Sequence, residues 1–171
     1  SSLEADDSET IKVEFTIPED APAGDYTLEL TLKAEDGQNV KYEVYREISF
    51  EIERQRNDVR ITDLQITPGP YCPGDIATVN LEVTNLGTRD QDHAGITLEN
   101  ADLNIDESVE DLELREFGRS GDDHTETFNI LIPENADVDN YNLIAETTID
   151  NVGRPIDTEV LQIEVEDCGQ T

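Results

Sequence analysis

A phrase that the chain contains twice is the strongest constraint on its fold. Residues 17–21 read IPEDA and are followed by Tyr26, and residues 132–136 read IPENA and are followed by Tyr141. A repeat with this spacing corresponds to a whole domain rather than to one turn of a solenoid, which predicts a tandem array. The 171 residues exceed one such unit and fall short of two. We therefore expect one complete domain that follows the C-terminal part of another.

Apolar and polar residues alternate along most of the chain, which predicts β-strands and no helix. In the first unit the alternation covers residues 13–17, 26–34 and 40–52. In the second unit it begins at residues 59–66, where a change of parity near Asp63 indicates a bulge or kink. Further strands of the second unit are predicted around residues 77–83, 96–98, 103–105, 112–114, 128–132, 141–145 and 156–165.

Roughly seven or eight strands in about 110 residues, separated by regular turn signals, are typical of an immunoglobulin-like sandwich. The predicted fold class is all-β: tandem immunoglobulin-like antiparallel β-sandwiches, the first only partly present. Residues 1–56 are predicted to be the C-terminal strands of one incomplete domain, and residues 57–171 a complete domain. Without a partner sheet the apolar face of the first unit would be uncovered, so we expect the natural protein to begin further upstream.

The charge of the chain is extreme. It has 42 acidic and 11 basic residues, a net charge of −31, so nucleic acid is not expected as a partner. The sustained apolar alternation distinguishes the chain from a disordered acidic one. Because molar salt shortens the Debye length to about 3 Å and removes most of the self-repulsion of such a surface, the composition predicts a protein of a halophile.

Segments that target proteins to membranes are not evident in this sequence. No stretch approaches the roughly 20 apolar residues of a membrane span, so no membrane contact is expected in this segment. Residues 1–10 have neither the basic region nor the apolar region of a signal peptide. A leader or an anchor, if one exists, lies outside this segment.

Two cysteines and two tyrosines are predicted to fasten the sandwich. The loop that holds Cys72 and the end that holds Cys168 converge at one pole of such a fold, which favours a disulfide and an oxidising compartment over two free thiols. Tyr26 and Tyr141 begin equivalent strands after a proline-bearing corner, the position of a tyrosine corner. Their hydroxyl groups are expected to bond nearby backbone, with a ligand contact as the alternative.

Catalytic signals are nearly absent, and no enzyme is predicted. Residues 118–121 (GRSG) are not a nucleophile elbow, and neither His93 nor His124 has a partner at metal-ligand spacing. Residues 100–106 resemble the start of an EF-hand loop, but Ile105 occupies the position that requires glycine. Both histidines are interpreted as surface residues.

Arginines are predicted to concentrate at the junction between the two units. Six of the eight arginines map to the linker or to the pole of the second unit that faces the first: Arg54, Arg56, Arg60, Arg89, Arg119 and Arg154. Glu19 and Asp20 are among the acidic residues expected there, whereas the opposite pole is acidic with no basic residue. A head-to-tail array would bring that acidic pole against the arginines of the next unit.

Calcium is the competing explanation for the acidic residues of the junction, because clustered carboxylates suit a hard cation. The candidate ligands are Asp90, Asp92, Asp122, Asp123 and Asp150. Crowded carboxylates are expected anyway at this composition. The predicted set of cofactors is therefore empty, with calcium retained as the alternative.

Several strings carry a resemblance to known families. Residues 59–64 (VRITDL), 73–75 (PGD) and 79–87 (VNLEVTNLG) are similar to the opening of cell-adhesion-related immunoglobulin-like modules. The phrase at residues 132–136 and its twin at residues 17–21 resemble repeats in surface-layer proteins of archaea. The resemblance implies an extracellular structural array. The chain departs from that pattern in having no Asn-x-Ser/Thr site for N-glycosylation.

The leading functional hypothesis is a structural cell-surface protein, a tandem segment of an S-layer, stalk or adhesin of a halophilic archaeon. Its expected partners are neighbouring domains of the same chain and further copies in a lattice or filament. The alternative is an accessory carbohydrate- or protein-binding module of a secreted multidomain enzyme. Sugar platforms usually need exposed aromatic residues, and only Tyr42, Tyr45 and Tyr71 remain for that role.

Overall fold

The computed structural model describes residues 10–18, 20–149 and 154–169. These residues form nine β-strands, and the part of the chain that is described contains no helix, so no helix there is able to cross a membrane. The prediction of an all-β fold is confirmed. The chain divides between Glu53 and Arg54 into two compact units, called unit 1 and unit 2 below. The boundary expected from the sequence falls between residues 56 and 57.

The strands are numbered in chain order. Unit 1 contains β1 (Gly24–Glu35) and β2 (Lys41–Ile52). Unit 2 contains β3 (Val59–Ile66), β4 (Ile76–Asn85), β5 (Gln91–Asn100), β6 (Ile105–Leu114), β7 (Asp123–Leu131), β8 (Asp139–Ile149) and β9 (Asp157–Val165).

Unit 2 is a β-sandwich of two antiparallel sheets. One sheet has the order β3-β4-β7 and the other the order β6-β5-β8-β9. A constant-type immunoglobulin domain places its fourth strand in the same sheet as the first, whereas the fourth strand here, β6, pairs with β5. After β3 the chain crosses to the second sheet, where Tyr71 forms an isolated parallel bridge with Val165.

The core of unit 2 lies between the two sheets and consists of aliphatic side chains from alternating positions. The largest fully buried side chains are Leu81, Ile96, Leu98, Leu103, Leu114, Ile132, Leu143, Ile163, Val59, Val79, Val83 and Val165. The register of β3 and β4 shifts between Ile61 and Asp63, where the sequence indicated a bulge. This extra residue lets Ile61 and Leu64 both contact the core although their positions differ in parity.

Unit 1 is a single β-hairpin in the region that the structure describes. The β1–β2 turn is fastened by Asp36, whose Oδ1 accepts hydrogen bonds from the backbone N–H groups of Gln38 and Val40, both at 2.9 Å. These two bonds, that of Val40 first, lower the pKa of Asp36. Asn39 adopts a φ of 64° at this turn, a conformation that asparagine tolerates better than most residues.

The prediction of a third strand at residues 13–17 is wrong for this structure, because residues 11–18 carry no regular secondary structure. The corresponding residues of unit 2 belong to β7 and its end, and β7 forms its hydrogen bonds with β4. The described part of unit 1 includes no strand equivalent to β4. A segment with strand periodicity but without a hydrogen-bonding neighbour has no ladder to join.

A disulfide joins Cys72, which follows β3, to Cys168, which follows β9, as the sequence predicted. Their Cα atoms are 5.7 Å apart and their separation in sequence is 96 residues. Beside the bridge, the N–H group of Tyr71 donates to Glu164 O, and Tyr71 O accepts from the N–H group of Glu166, both at 2.9 Å. The first and last strands of unit 2 are thus held together at one end by covalent and hydrogen bonds.

Replacing both cysteines by serine is expected to destabilise unit 2. In the chain-entropy model, a loop of about 100 residues contributes about 4–5 kcal/mol to the free energy of unfolding. Denaturant titration of Cys72→Ser/Cys168→Ser against the oxidised wild type measures this difference. The reduced wild type is the control and should unfold with the variant; equal stability of oxidised and reduced protein would contradict the prediction.

Candidate functional site

The two ends of unit 2 carry most of its polar interactions. We call the end formed by residues 54–58, 86–90 and 115–122 the proximal pole, because the chain enters unit 2 there. The distal pole is formed by residues 67–75, 101–104 and 132–138 and by the segment after Val165. Antiparallel strands alternate in direction, so successive loops alternate between these poles.

Arg54 fastens the incoming chain to the proximal pole. Its Nη1 atom donates to Leu86 O at 2.9 Å, and its guanidinium carbon lies 3.6 Å from the centroid of the Phe117 ring. A cation–π contact of this kind stabilises a fold by about 0.5–2 kcal/mol. Gly87 allows the backbone of Arg56 to approach the β4–β5 loop closely, because a Cβ atom at residue 87 would lie 2.7 Å from Arg56 O.

Asn85 is the buried centre of the proximal pole. Its side chain is fully buried, and its Nδ2 donates to Arg89 O and Arg115 O, each at 2.8 Å. Its Oδ1 accepts a hydrogen bond of 3.0 Å from the N–H group of Gly87. One amide therefore satisfies the backbone groups of both the β4–β5 loop and the β6–β7 loop, which would otherwise be costly to bury.

An ion triad ties the start of β3 to the start of β9. The Nε atom of Arg60 donates to Asp58 Oδ1 at 2.6 Å, and its Nη1 lies 3.3 Å from Asp157 Oδ1. The second oxygen of Asp157 accepts from the N–H group of Ile61 at 3.0 Å. The carboxylate of Asp58, and after it that of Asp157, raises the pKa of Arg60. These bonds position the linker against unit 2.

The carboxylates proposed as calcium ligands have different surroundings. Asp90 accepts the N–H group of Glu116 at 2.8 Å and pairs with Arg115 at 2.9 Å. Asp122 accepts the N–H group of Gly118 at 2.7 Å. Asp92 on β5 and Asp123 on β7 are exposed, and Asp150 lies outside the described residues. Within residues 10–18, 20–149 and 154–169, no group of three or more acidic, histidine or cysteine side chains is placed to hold a metal ion.

The residues predicted for the junction differ in burial and in the contacts that they make. Arg54 and Arg60 are half-buried and contact unit 2 itself, and Arg119 pairs with Glu116 at 2.7 Å. Exposed positions are occupied by Arg56, Arg89, Arg154 and Asp20, while Glu19 lies outside the described residues.

Three residues at this pole were not recognised from the sequence as interacting residues: Asn85, Arg115 and Phe117. The string Asn85-Leu86-Gly87 predicted the end of a strand, and the available signal was the asparagine two residues before a glycine.

The distal pole is a shallow acidic depression of about 750 Å³. Carboxylates line it at Asp102, Glu107, Asp137 and Asp139, and none of the described residues around it is basic. Tyr141 forms one wall, and its hydroxyl group donates to Asp137 O at 2.9 Å. Partial desolvation, and after it the negative charges of Asp137 and Asp139, raise the pKa of Tyr141.

Tyrosines close three corners of the fold by the same hydrogen bond. The hydroxyl group of Tyr26 donates to Pro22 O at 2.8 Å, and that of Tyr141 donates to the carbonyl four residues upstream in the same way. Tyr71 likewise donates to Thr67 O and lies 2.9 Å from Thr67 Oγ1. The repeated phrase of the sequence therefore corresponds to a chain reversal that a tyrosine fastens.

Comparisons with known proteins concern the fold alone. No protein-family model matches the chain, and no curated protein sequence matches it. A similar solved structure is the C-terminal domain of Wzt, with 14% identity and a TM-score of 0.47 over 66% of this chain and 76% of that one. Another is Spo0M, a sporulation control protein from Bacillus subtilis, with 18% identity and a TM-score of 0.39 over 68% of this chain and 51% of that one.

Truncating the buried asparagine should destabilise unit 2 strongly. Asn85→Ala removes the side-chain partner of the Gly87 N–H group and of Arg115 O, at a cost of about 1–3 kcal/mol for each group, whereas Arg89 O keeps the hydrogen bond from Gln91 Nε2. Chemical denaturation should show a loss of about 3 kcal/mol. Asn80→Ala on the exposed face of the same strand is the matched control and should change stability little; equal losses in the two variants would contradict the assigned role.

The stability of unit 2 should fall on acidification partly through Asp90. The hydrogen bond from Glu116, and after it the charge of Arg115, lowers the pKa of this carboxyl from 3.8. Its contribution is therefore present above the unfolded value and is lost as the pH falls through the lower folded value. Between pH 5 and pH 2, Asp90→Asn should lose less unfolding free energy than the wild type. If the exposed control Asp92→Asn flattens the profile equally, the assignment is wrong.

Calcium is not expected to stabilise the chain. Extracellular calcium modules bind at about 10⁻⁴–10⁻³ M, so a titration from EDTA to about 10 mM calcium covers the range. The melting temperature should stay constant once magnesium at equal ionic strength is used as the control. A saturable increase that Asp90→Asn abolishes would establish calcium as a ligand.

Proposed function

We propose that this chain is a structural segment of a cell-surface protein, with tandem immunoglobulin-like sandwiches that belong to an S-layer, stalk or adhesin of a halophilic archaeon. The observation that carries the proposal is the way in which the incoming chain is bound to unit 2. Arg54 and Asp58 both bond Leu86 of the β4–β5 loop, and Arg60 bonds Asp157 at the start of β9. Arg54 also lies against Phe117 of the β6–β7 loop. A fixed point of entry into each domain suits a load-bearing array.

The charges of the two poles support head-to-tail association of successive domains. The distal pole presents Asp102, Asp137 and Asp139 without a basic residue among its described neighbours. The proximal pole carries exposed guanidinium groups at Arg56 and Arg89. Exposed ion pairs contribute about 0–1 kcal/mol each, so these charges would select the orientation of neighbouring copies more than they would add affinity.

The location that we propose is extracellular. The disulfide between Cys72 and Cys168 is compatible with an oxidising compartment, where such bonds persist. At a net charge of −31, repulsion between carboxylates opposes folding in dilute salt and is screened in brine. No nucleic acid or membrane partner is proposed for this segment, and no cofactor.

We propose a non-enzymatic role. His93 contacts Asp111 at 2.8 Å and His124 contacts Glu126 at 3.2 Å, so each histidine lies beside a carboxylate on a strand. Both cysteines are consumed in the disulfide and provide no thiol nucleophile. These surroundings suit hydrogen bonds at the surface, and no assembly of nucleophile, base and anion-stabilising donors is evident among the described residues.

The alternative is an accessory carbohydrate-binding module, for which aromatic side chains would have to form a platform. Tyr71 is buried, with 7% of its surface exposed. Tyr42 and Tyr45 are exposed, but they differ in parity on β2 and therefore project from opposite faces of the hairpin. Two rings on opposite faces do not stack on one sugar, which disfavours this function.

Screening of the acidic surface has a direct test. The melting temperature should be higher in about 3 M KCl than in about 0.1 M KCl, because the Debye length falls from about 10 Å to about 2–3 Å. A variant with Glu110→Lys, Glu113→Lys and Glu159→Lys changes the net charge from −31 to −25, which reduces surface repulsion, so its melting temperature should depend less on salt. An identical salt response of variant and wild type would refute screening as the cause.

The proposed role is tested where the protein occurs. Antibodies raised against the chain should label the envelope of intact cells at high density in immunogold electron microscopy. Pre-immune serum is the control. Label confined to the culture supernatant, together with co-purification with a hydrolase, would favour the accessory module.

A further inference from the structure

The hairpin of unit 1 has one apolar face and one charged face. Residues of even number on both strands form the apolar face, in the cross-strand pairs Ala34/Tyr42, Leu32/Val44, Leu30/Arg46, Leu28/Ile48 and Tyr26/Phe50. The odd-numbered face carries pairs such as Lys33/Glu43 and Glu29/Glu47. Large parts of the apolar face are exposed, including 54% of Leu32 and 49% of Ile48. An isolated two-stranded hairpin is at best marginally stable in water, so this face requires a cover.

Unit 2 shows what covers the equivalent face. Tyr141 of β8 pairs with Ile163 of β9 in the register in which Tyr26 pairs with Phe50. Two positions further along β8 is Leu143, and both Leu143 and Ile163 are completely buried. Their cover is the three-stranded sheet β3-β4-β7, whose inward residues belong to the same apolar cluster. The repeated sequence thus places an equivalent pair of strands in both units, covered in unit 2 and exposed in unit 1.

The segment that precedes the hairpin also matches a covered segment. Val13, Phe15 and Ile17 precede Tyr26 by the same intervals that separate Phe128, Ile130 and Ile132 from Tyr141. The latter three are buried where β7 pairs with β4. In unit 1 the corresponding side chains are exposed, 55% in the case of Phe15, although its ring lies 5.8 Å from that of Phe50.

The charge on the apolar face argues against a second copy of the hairpin as the cover. Arg46 lies near the middle of that face, opposite Leu30. A twofold axis through the middle of two facing hairpins would bring the two Arg46 side chains together, and like charges in an apolar interface are costly. Arg46 donates to Tyr45 O and forms no ion pair with the described residues. A cover that carries a carboxylate is complementary to it.

We propose that the apolar face of unit 1 binds a strand pair of the β3–β4 type, supplied by the same polypeptide, in which one strand pairs with residues 12–17 and the apolar side chains of both cover β1 and β2. Together with residues 12–17, the pair would form a three-stranded sheet equivalent to β3-β4-β7 of unit 2. The partner needs alternating aliphatic residues on one face and net negative charge. This inference concerns only the completion of the fold and holds at any location of the protein.

A fusion protein tests the proposal on the full chain. A copy of residues 59–86, with Cys72→Ser in that copy, is attached through a long Gly/Ser linker ahead of residue 1. We expect amide hydrogen exchange in residues 12–17 and 26–34 to slow by about 100-fold and binding of an apolar dye to fall. Residues 141–147 of β8 serve as an internal reference for unit 2 and should be unchanged.

Two variants decide the outcome. A fused copy with Val79→Asp and Leu81→Asp has the same length but lacks the apolar face and should give no protection. Arg46→Glu in unit 1 should reduce the protection by about 10-fold, because the fused pair is itself acidic. The proposal is overturned if the intact fusion gives no protection, if both fused copies protect equally, or if the unfused chain dimerises in brine and loses dye binding, since a second copy would then be the cover.

Discussion

A β-sheet with one apolar face becomes stable only when a second layer covers that face, and everything else in this molecule depends on whether the cover is present. In unit 2 the sheet β3-β4-β7 covers the four-stranded sheet, and the side chains of Leu81, Ile96 and Leu143 are completely buried between them. In unit 1 the same pattern of residues forms a hairpin whose apolar side chains face solvent. The contrast shows that periodicity determines which face needs burial, whereas burial itself depends on a partner sheet.

The polar network at the proximal pole depends on this packing. Asn85 closes the end of the core: its side chain is fully buried and bonds the backbone of two loops. Around it, Arg54 and Arg60 use contacts with Phe117 and Asp157 to hold the incoming chain. The first residues of unit 2 are therefore held against its sandwich by side-chain contacts.

The sequence was sufficient to predict features that follow from periodicity and local turns. Most strands of unit 2, the bulge near Asp63 and the disulfide agree with the structure, because alternation, parity and the poles of a sandwich constrain them directly. The prediction of separate strands at residues 103–105 and 112–114 is wrong: Leu103 lies in a turn, and one strand, β6, runs from Ile105 to Leu114. The pairing of β6 with β5 was not foreseen, since short apolar pairs such as Leu112 and Leu114 fit either sheet edge. The absence of a strand at residues 13–17 was missed for a related reason: a strand needs a neighbour, and alternation does not reveal whether one exists.

The candidate site was predicted less well than the fold. Net charge and loop positions indicated arginines near the junction, but they did not reveal which guanidinium groups unit 2 itself engages. Arg54 depends on Phe117, which is distant in sequence, and Arg60 depends on Asp157 for the same reason. Such contacts arise from tertiary structure. The repeated phrase was more informative, because its tyrosine bonds a carbonyl only four residues away.

The position of the disulfide limits how far unit 2 can be extended. Tension applied between Arg54 and Cys168 passes through the bridge to Cys72, so the 96 residues of separation between the two cysteines bear no load. Only the stretch from Arg54 to Cys72 is able to lengthen; its contour length is roughly 60 Å at full extension, and the extended strand β3 already spans part of it. Each domain closed by this disulfide would then extend only by a short, limited distance. Most of its core would stay folded under a pull that detaches β3.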